Sequence, residues 1–158
     1  MIAHFSIPAR DPQATAELFA RIIDGVAVRF PVVDGGWMVL ARDGSGTGVE
    51  VIPDTAVIAA GEGPIDGARF TSGPREAPAG PTAIHFALTS ALSTDEVIAL
   101  GEAEGWRAVH ADRGPFDLVE LWIDNRIMVE VLPPAGAARY MASVRSQLAA
   151  LAATPEFA

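Results

Sequence analysis

Polar and apolar positions alternate over residues 2–8, so His4 and Ser6 share one face of an extended segment while Ala3, Phe5 and Ile7 share the other. The period then changes. Leu18, Phe19, Ile22 and Ile23 fall on one helical stripe within residues 12–23. Asp11 is placed as the N-cap, Pro12 suits the first helical position, and Asp24-Gly25 closes the helix. Strand-like runs follow at 26–33, 37–41 and 48–52, separated by Gly35-Gly36 and a hairpin turn at Asp43-Gly44. The predicted order is strand, helix, strand, strand, strand. Residues 54–81 are crowded with Gly and Pro and read as a long connection without regular structure. The first pattern then restarts. A strand is predicted at 82–89, a capping box at Ser93-Thr94-Asp95-Glu96 opens a helix over 94–104, and Gly105 ends it. Strands at 106–111, 118–123 and 127–132 complete the second set, and an Ala-rich amphipathic helix is predicted over 135–153.

The two sets are an internal repeat. Ala3-His4-Phe5-Ser6-Ile7 returns as Ile84-His85-Phe86-Ala87-Leu88, and Gly48-Val49-Glu50-Val51-Ile52-Pro53 returns as Met128-Val129-Glu130-Val131-Leu132-Pro133. The offset is 81 residues for the histidines, 82 for the N-caps, 80 for the glycines that stop the helices and 80 for the glutamates. The reading is an α+β chain of two tandem βαβββ modules: residues 1–53, a 54–81 connection, residues 82–134, and a C-terminal helix and tail over 135–158.

Composition narrows the partners. The chain has 158 residues, half of them hydrophobic, which is enough for a real core. A net charge of -9 speaks against nucleic acid, where clustered cations must neutralise phosphates. No apolar run reaches membrane-spanning length and no signal sequence is evident, so a cytoplasmic, soluble protein is expected. There is no cysteine, which excludes a thiolate metal site, a cysteine nucleophile and a disulfide framework.

The candidate chemistry rests on His4, Glu50, His85 and Glu130. Taken singly, a histidine or glutamate in a strand is ordinarily structural or exposed. Here each occupies the same phase of a repeated strand, opposite the bulky apolar residues, with small Ser6 and Ala87 beside the histidines. Duplicated modules packed about a pseudo-two-fold axis bring equivalent positions together. Two imidazoles and two carboxylates would then share one divalent ion, with Ni, Zn, Co, Mn and Fe all compatible. Glu120 stays undecided, because a two-residue turn after residue 123 turns it away from Glu130 and a three-residue turn sets it opposite.

Paired βαβββ modules with His on the first strand and Glu on the last resemble the vicinal oxygen chelate superfamily, over residues 2–53 and 82–133. The resemblance implies a curved mixed sheet around a cleft and a homodimer. A filled His, Glu, His, Glu set is similar to the bacterial glyoxalase I pattern. It implies a metal-dependent isomerase or lyase for a small substrate with neighbouring oxygens, with an enediolate-like charge stabilised by the metal. By the same resemblance Glu130 is the proton-moving base, with Glu50 as ligand or second base. The turn at Asp124-Asn125-Arg126 departs from the family's usual last hairpin, and no glutathione-binding set is evident; Arg10, Arg21, Arg29 and Arg107 are candidates by charge only. Two other functions fit part of the pattern. An Fe(II) ring-cleaving dioxygenase would use His4, His85 and Glu130, with His110 and Tyr140 as acid or base. A non-catalytic binding protein of the resistance type would use Trp37, Trp106 and Trp122 to hold an apolar or cationic compound.

Overall fold

Phe5 and Ile7 alternate with polar neighbours and Pro8 cannot continue a helix, so the chain enters an extended strand. The computed structural model describes residues 4–59, 69–72 and 85–152. It forms two units, one within residues 1–82 and one within 83–158. In the first, β1 (His4–Ala9) leads into α1 (Pro12–Ile22), then β2 (Gly25–Arg29), β3 (Trp37–Ala41) and β4 (Gly48–Pro53). In the second, β7 (His85–Thr89) leads into α2 (Thr94–Ala103), then β8 (Ala108–Asp112), β9 (Asp117–Ile123) and β10 (Ile127–Leu132), before α3 (Pro134–Ala152). Each unit holds a four-stranded mixed sheet of one topology: β1-β4-β3-β2 in the first and β7-β10-β9-β8 in the second. The α+β class and the two βαβββ modules with a C-terminal helix are thus as expected. Residues 2–3, 82–84 and 153 of the predicted elements lie outside the described residues.

The topology follows from the helix. The crossover helix returns the chain at the far edge of the sheet as β2 or β8, and two antiparallel reversals then bring the last strand of each module in beside the first, parallel to it and in register. The helix must cover one sheet face, and the sequence provides the stripe. Leu18, Phe19 and Ile22 are buried on α1, which packs on β2, β3 and β4. Val39, Val49 and Val51 are fully buried beneath it. Burial of a side chain such as Phe19 contributes about 1.5–3 kcal/mol. In the second unit α2, with Val97 and Leu100 buried, packs on β8 and β9, where Val119 and Leu121 are fully buried.

The caps are as read. Asp11 accepts a hydrogen bond from the Ala14 amide at 3.0 Å, and Ser93 and Glu96 form the reciprocal box. The box amide and hydroxyl of Ser93 hold the Glu96 carboxyl below its ordinary pKa. Several boundaries differ. The β2 strand stops at Arg29 because residues 30–36 close a turn, with the Phe30 amide donating to Gly36 O at 3.0 Å and the Gly36 amide to Val33 O at 2.9 Å. The β8 strand begins at Ala108 because the Trp106 amide donates to Gly101 O and the Arg107 amide to Asn125 Oδ1, off the ladder. The α1 helix ends with Asp24, not Gly25, in the left-handed region (φ 48). Gly25 is required for space instead: a Cβ there would lie 2.7 Å from Val39 Cγ1.

The 54–81 segment corrects the expectation of no regular structure. It contains a two-stranded antiparallel sheet, β5 (Ala56–Ala59) with β6 (Arg69–Ser72). Ala56 pairs with Ser72 and Ala59 with Arg69. Hairpin pairing needs only short extended runs, which the surrounding Gly and Pro conceal.

The α3 helix packs on β9 and β10, and its first turn sits so close that a Cβ on Gly136 would lie 2.3 Å from the Asp117 carbonyl oxygen. Helix propensity alone would make Gly136→Ala stabilising by about 1 kcal/mol. The close approach reverses the sign. Gly136→Ala is expected to lower stability by about 1–3 kcal/mol, read as a lower urea midpoint at unchanged m-value.

Candidate functional site

The parallel pairing of first and last strands fixes where the four candidate residues stand. In the first unit Ser6 is opposite Glu50 and His4 opposite Gly48. Side chains of opposed residues share a face, so His4, Ser6 and Glu50 all project from the face away from Phe5, Ile7, Val49 and Val51. Their side chains meet. The Ser6 hydroxyl donates to Glu50 Oε2 at 2.5 Å, and His4 Nε2 lies 3.7 Å from Glu50 Oε1. Glu50 is nearly buried, its side chain 12% exposed, whereas that of His4 is 57% exposed. Gly48 keeps this corner open: a Cβ there would stand 2.9 Å from Met38 Cε and 3.5 Å from His4 Cβ. Met38 itself is the cross-strand neighbour of Glu50 on β3.

In the second unit the same register sets Glu130 opposite Ala87 and Met128 opposite His85. The other neighbour of Glu130 is Glu120, directly opposite on β9. Ile123 pairs with Ile127, so the turn holds three residues. Asp124 (φ 52) and Asn125 (φ 56) both take the left-handed conformation that short-side-chain residues tolerate. The question of Glu120 is thereby decided: it faces Glu130. Two carboxylates directly opposed across strands repel, and a cation sits on both. Arg113 Nη2 donates to Glu120 Oε1 at 2.7 Å and to Glu130 Oε1 at 3.3 Å. The Glu120 hydrogen bond first, and that to Glu130 after it, hold the Arg113 guanidinium above its ordinary pKa. Trp122 Nε1 donates to the second oxygen of Glu120 at 3.3 Å.

Arg113 is the participant that sequence reasoning missed, and Glu120 the one it left undecided. Their partnership depends on the β8–β9 hairpin, where the Arg113 amide donates to Phe116 O at 2.9 Å and Asp112 pairs with Asp117. The signal available was the strand phase of Glu120, which needed the length of a turn to be interpreted. His110 and Tyr140 lie elsewhere. Val109 is the residue opposite Glu120, so His110 points to the other sheet face. There it meets Asp117 at 2.9 Å, and Arg139 from α3 reaches the same carboxylate. Tyr140 stacks edge-on against Phe116, centroids 5.0 Å apart. Arg29 lies over the Trp37 ring at 4.6 Å.

The donors of the first unit fit a divalent ion. A metal–nitrogen and a metal–oxygen bond placed end to end span about 4.0–4.3 Å, so the 3.7 Å between His4 and Glu50 lets one ion touch both without moving a strand. Imidazole and carboxylate are also the donor types that Zn, Ni, Co, Mn and Fe(II) accept. Within neither unit do the described residues gather three His, Asp or Glu side chains into one ligand group.

No family model matches the sequence and no curated protein matches it significantly. Solved structures do. A fosfomycin resistance protein, FosX, from Mesorhizobium loti matches with a TM-score of 0.54 at 13% identity, over 89% of this chain and 97% of that one. The trypanothione-dependent glyoxalase I of Leishmania major matches with a TM-score of 0.53 at 11% identity, over 95% and 98%. A mutant FosX from Listeria monocytogenes, complexed with Mn(II) and a dihydroxypropylphosphonic acid, matches at 0.51 and 12% identity, over 83% and 90%. The chain has the fold of the vicinal oxygen chelate superfamily. None of the described helices is long and apolar enough to cross a membrane.

The Ser6–Glu50 contact should be visible in stability. Ser6→Ala leaves a nearly buried carboxylate oxygen without its donor and is expected to cost about 1–3 kcal/mol. Chemical denaturation above pH 6 measures it; an unchanged midpoint would show that water replaces the hydroxyl.

Proposed function

We propose that this chain is a metal-dependent enzyme of the glyoxalase type, an isomerase or lyase that moves a proton between adjacent carbons of a small substrate carrying neighbouring oxygens. The observation that carries the reading is the His4–Glu50 pair, 3.7 Å apart on the first and last strands of one module, with His85 and Glu130 at the corresponding strand positions of the other. Structures of the same fold include a glyoxalase I and a FosX that holds Mn(II), which supports a divalent ion without fixing its identity. Our assignment of ligands is His4, Glu50, His85 and Glu130, and a homodimer is the assembly we propose.

When bound, the ion supplies Lewis acidity toward two adjacent oxygens and the developing negative charge. The protein residues do the rest. His4 and His85 would hold the ion, each through a ring-nitrogen lone pair. Ser6 holds Glu50 in place by its hydroxyl, so Glu50 presents Oε1 beside His4. Glu130 takes a proton from one substrate carbon at a carboxylate oxygen and returns it to the next. Such a positioned base is worth about 100- to 10,000-fold in rate.

Elemental analysis of the purified protein and of His4→Ala tests the ligand set: about one equivalent of metal in the first and a clear loss in the second are expected. The catalytic role is tested on an α-hydroxy ketone such as dihydroxyacetone, by following exchange of the C–H beside the carbonyl with solvent deuterium. Glu130→Gln should keep much of the metal while exchange falls at least about 100-fold. Full exchange in that variant removes Glu130 from the mechanism.

A further inference from the structure

We propose that Arg113 is a built-in competitor for the cation at Glu130: its guanidinium bridges Glu130 and Glu120, must release Glu130 when a divalent ion binds there, and stays tethered to Glu120. The proposal rests on Glu130 being a metal ligand, as read above.

The geometry points this way for four reasons. First, Glu120 and Glu130 are opposed in register on adjacent antiparallel strands, with side chains only 17% and 19% exposed. Two carboxylates so placed need a cation, and Arg113 supplies one. Second, its two bonds are unequal. The same Nη2 is 2.7 Å from Glu120 but 3.3 Å from Glu130, so Glu120 is the firm anchor and Glu130 the partner more readily given up. Third, the backbone of Arg113 is fixed while its side chain is long. The Arg113 amide donates to Phe116 O, and the Gly114 amide, at a left-handed φ of 83, donates to Asp112 Oδ1 at 2.7 Å. Withdrawal then needs only side-chain torsions. Fourth, one guanidinium and two carboxylates leave a negative charge over, so the cluster attracts a further cation and repels an anion. An anchor for an acidic substrate is the wrong use of this arginine.

The first unit offers the contrast. The residue opposite Glu50 is Met38, and the groups on Glu50 are the Ser6 hydroxyl and the His4 imidazole. Among the described residues, a metal arriving at Glu50 displaces no fixed charge. One half of the repeat is open to an ion and the other is guarded.

The test is Mn(II) binding to the full chain, with free ion counted by its electron paramagnetic resonance signal, for the natural protein and for Arg113→Gln, Arg113→Lys and Glu130→Ala. Arg113→Gln should bind about three- to tenfold more tightly at low ionic strength. Arg113→Lys keeps a charge but loses the planar fork, so its affinity should lie between the two. Saturating Mn(II) should raise the Tm of Arg113→Gln by more than that of the natural protein, since only there does the ion relieve two unpaired carboxylates. Glu130→Ala should bind more weakly. If Glu130→Ala weakens binding while both Arg113 variants bind no more tightly than the natural protein, the competitor is overturned and the metal site stands. If Glu130→Ala leaves Mn(II) affinity unchanged, the site reading fails and the competitor with it.

Discussion

Parallel pairing of the first and last strand of each module is the constraint on which everything else hangs. The crossover helix makes that pairing possible, since a strand must travel the length of a helix to return in the same direction. The helix stripe of Leu18, Phe19 and Ile22 then covers one face of the first sheet. What remains is a face whose side chains come from β1 and β4 together. His4 and Glu50 are 46 residues apart in sequence yet end on neighbouring strands, offset by one pleat, because Ser6 and not His4 stands opposite Glu50. That one-pleat offset brings the imidazole to 3.7 Å from the carboxylate while leaving room for a hydroxyl beside it.

The two modules use one topology for unlike electrostatics. The positions flanking Glu50 are Ser6 and Met38; those flanking Glu130 are Ala87 and Glu120. A hydroxyl can satisfy a single carboxylate. It cannot satisfy two, and the second module answers with a guanidinium from the adjoining hairpin. Removing the cation from such a half-buried network is costly, so Glu120, Glu130 and Arg113 belong together as a set. Losing Arg113 would leave Glu120 and Glu130 opposed with no cation between them.

Much of this was legible in the chain and the rest was not, for physical reasons. Strands, helices and their order are written in local periods of two and 3.6, and both N-caps are local chemistry, so Asp11, Ser93 and Glu96 could be placed from sequence. The four candidate residues share strand phase, which is also local. Register is not local. The face of Glu120 depends on how many residues the turn after Ile123 contains, and Arg113 reaches Glu130 only because the hairpin at 113–116 folds it back. The β5–β6 pair escaped for a related cause: its strands are four residues each, within a stretch whose composition advertises turns. The shortening of β2 reflects a turn closed by Phe30, Val33 and Gly36 amides and carbonyls, which hydrophobicity alone does not reveal.

The turn at Asp124-Asn125-Arg126 has a consequence for how such a chain can change over time. Both of its first two residues sit at positive φ, and Asn125 is fastened by its side-chain amide to Gly105 O and by its Oδ1 to the Arg107 amide. Its length sets a parity. Losing or gaining one residue would turn β9 over relative to β10, sending Glu120 into the valine-lined core and a buried leucine out to meet Glu130. Lineages carrying this hairpin are therefore expected to tolerate length changes here in twos or not at all, so that turn length, more than any one side chain, is the heritable trait that keeps the two carboxylates face to face.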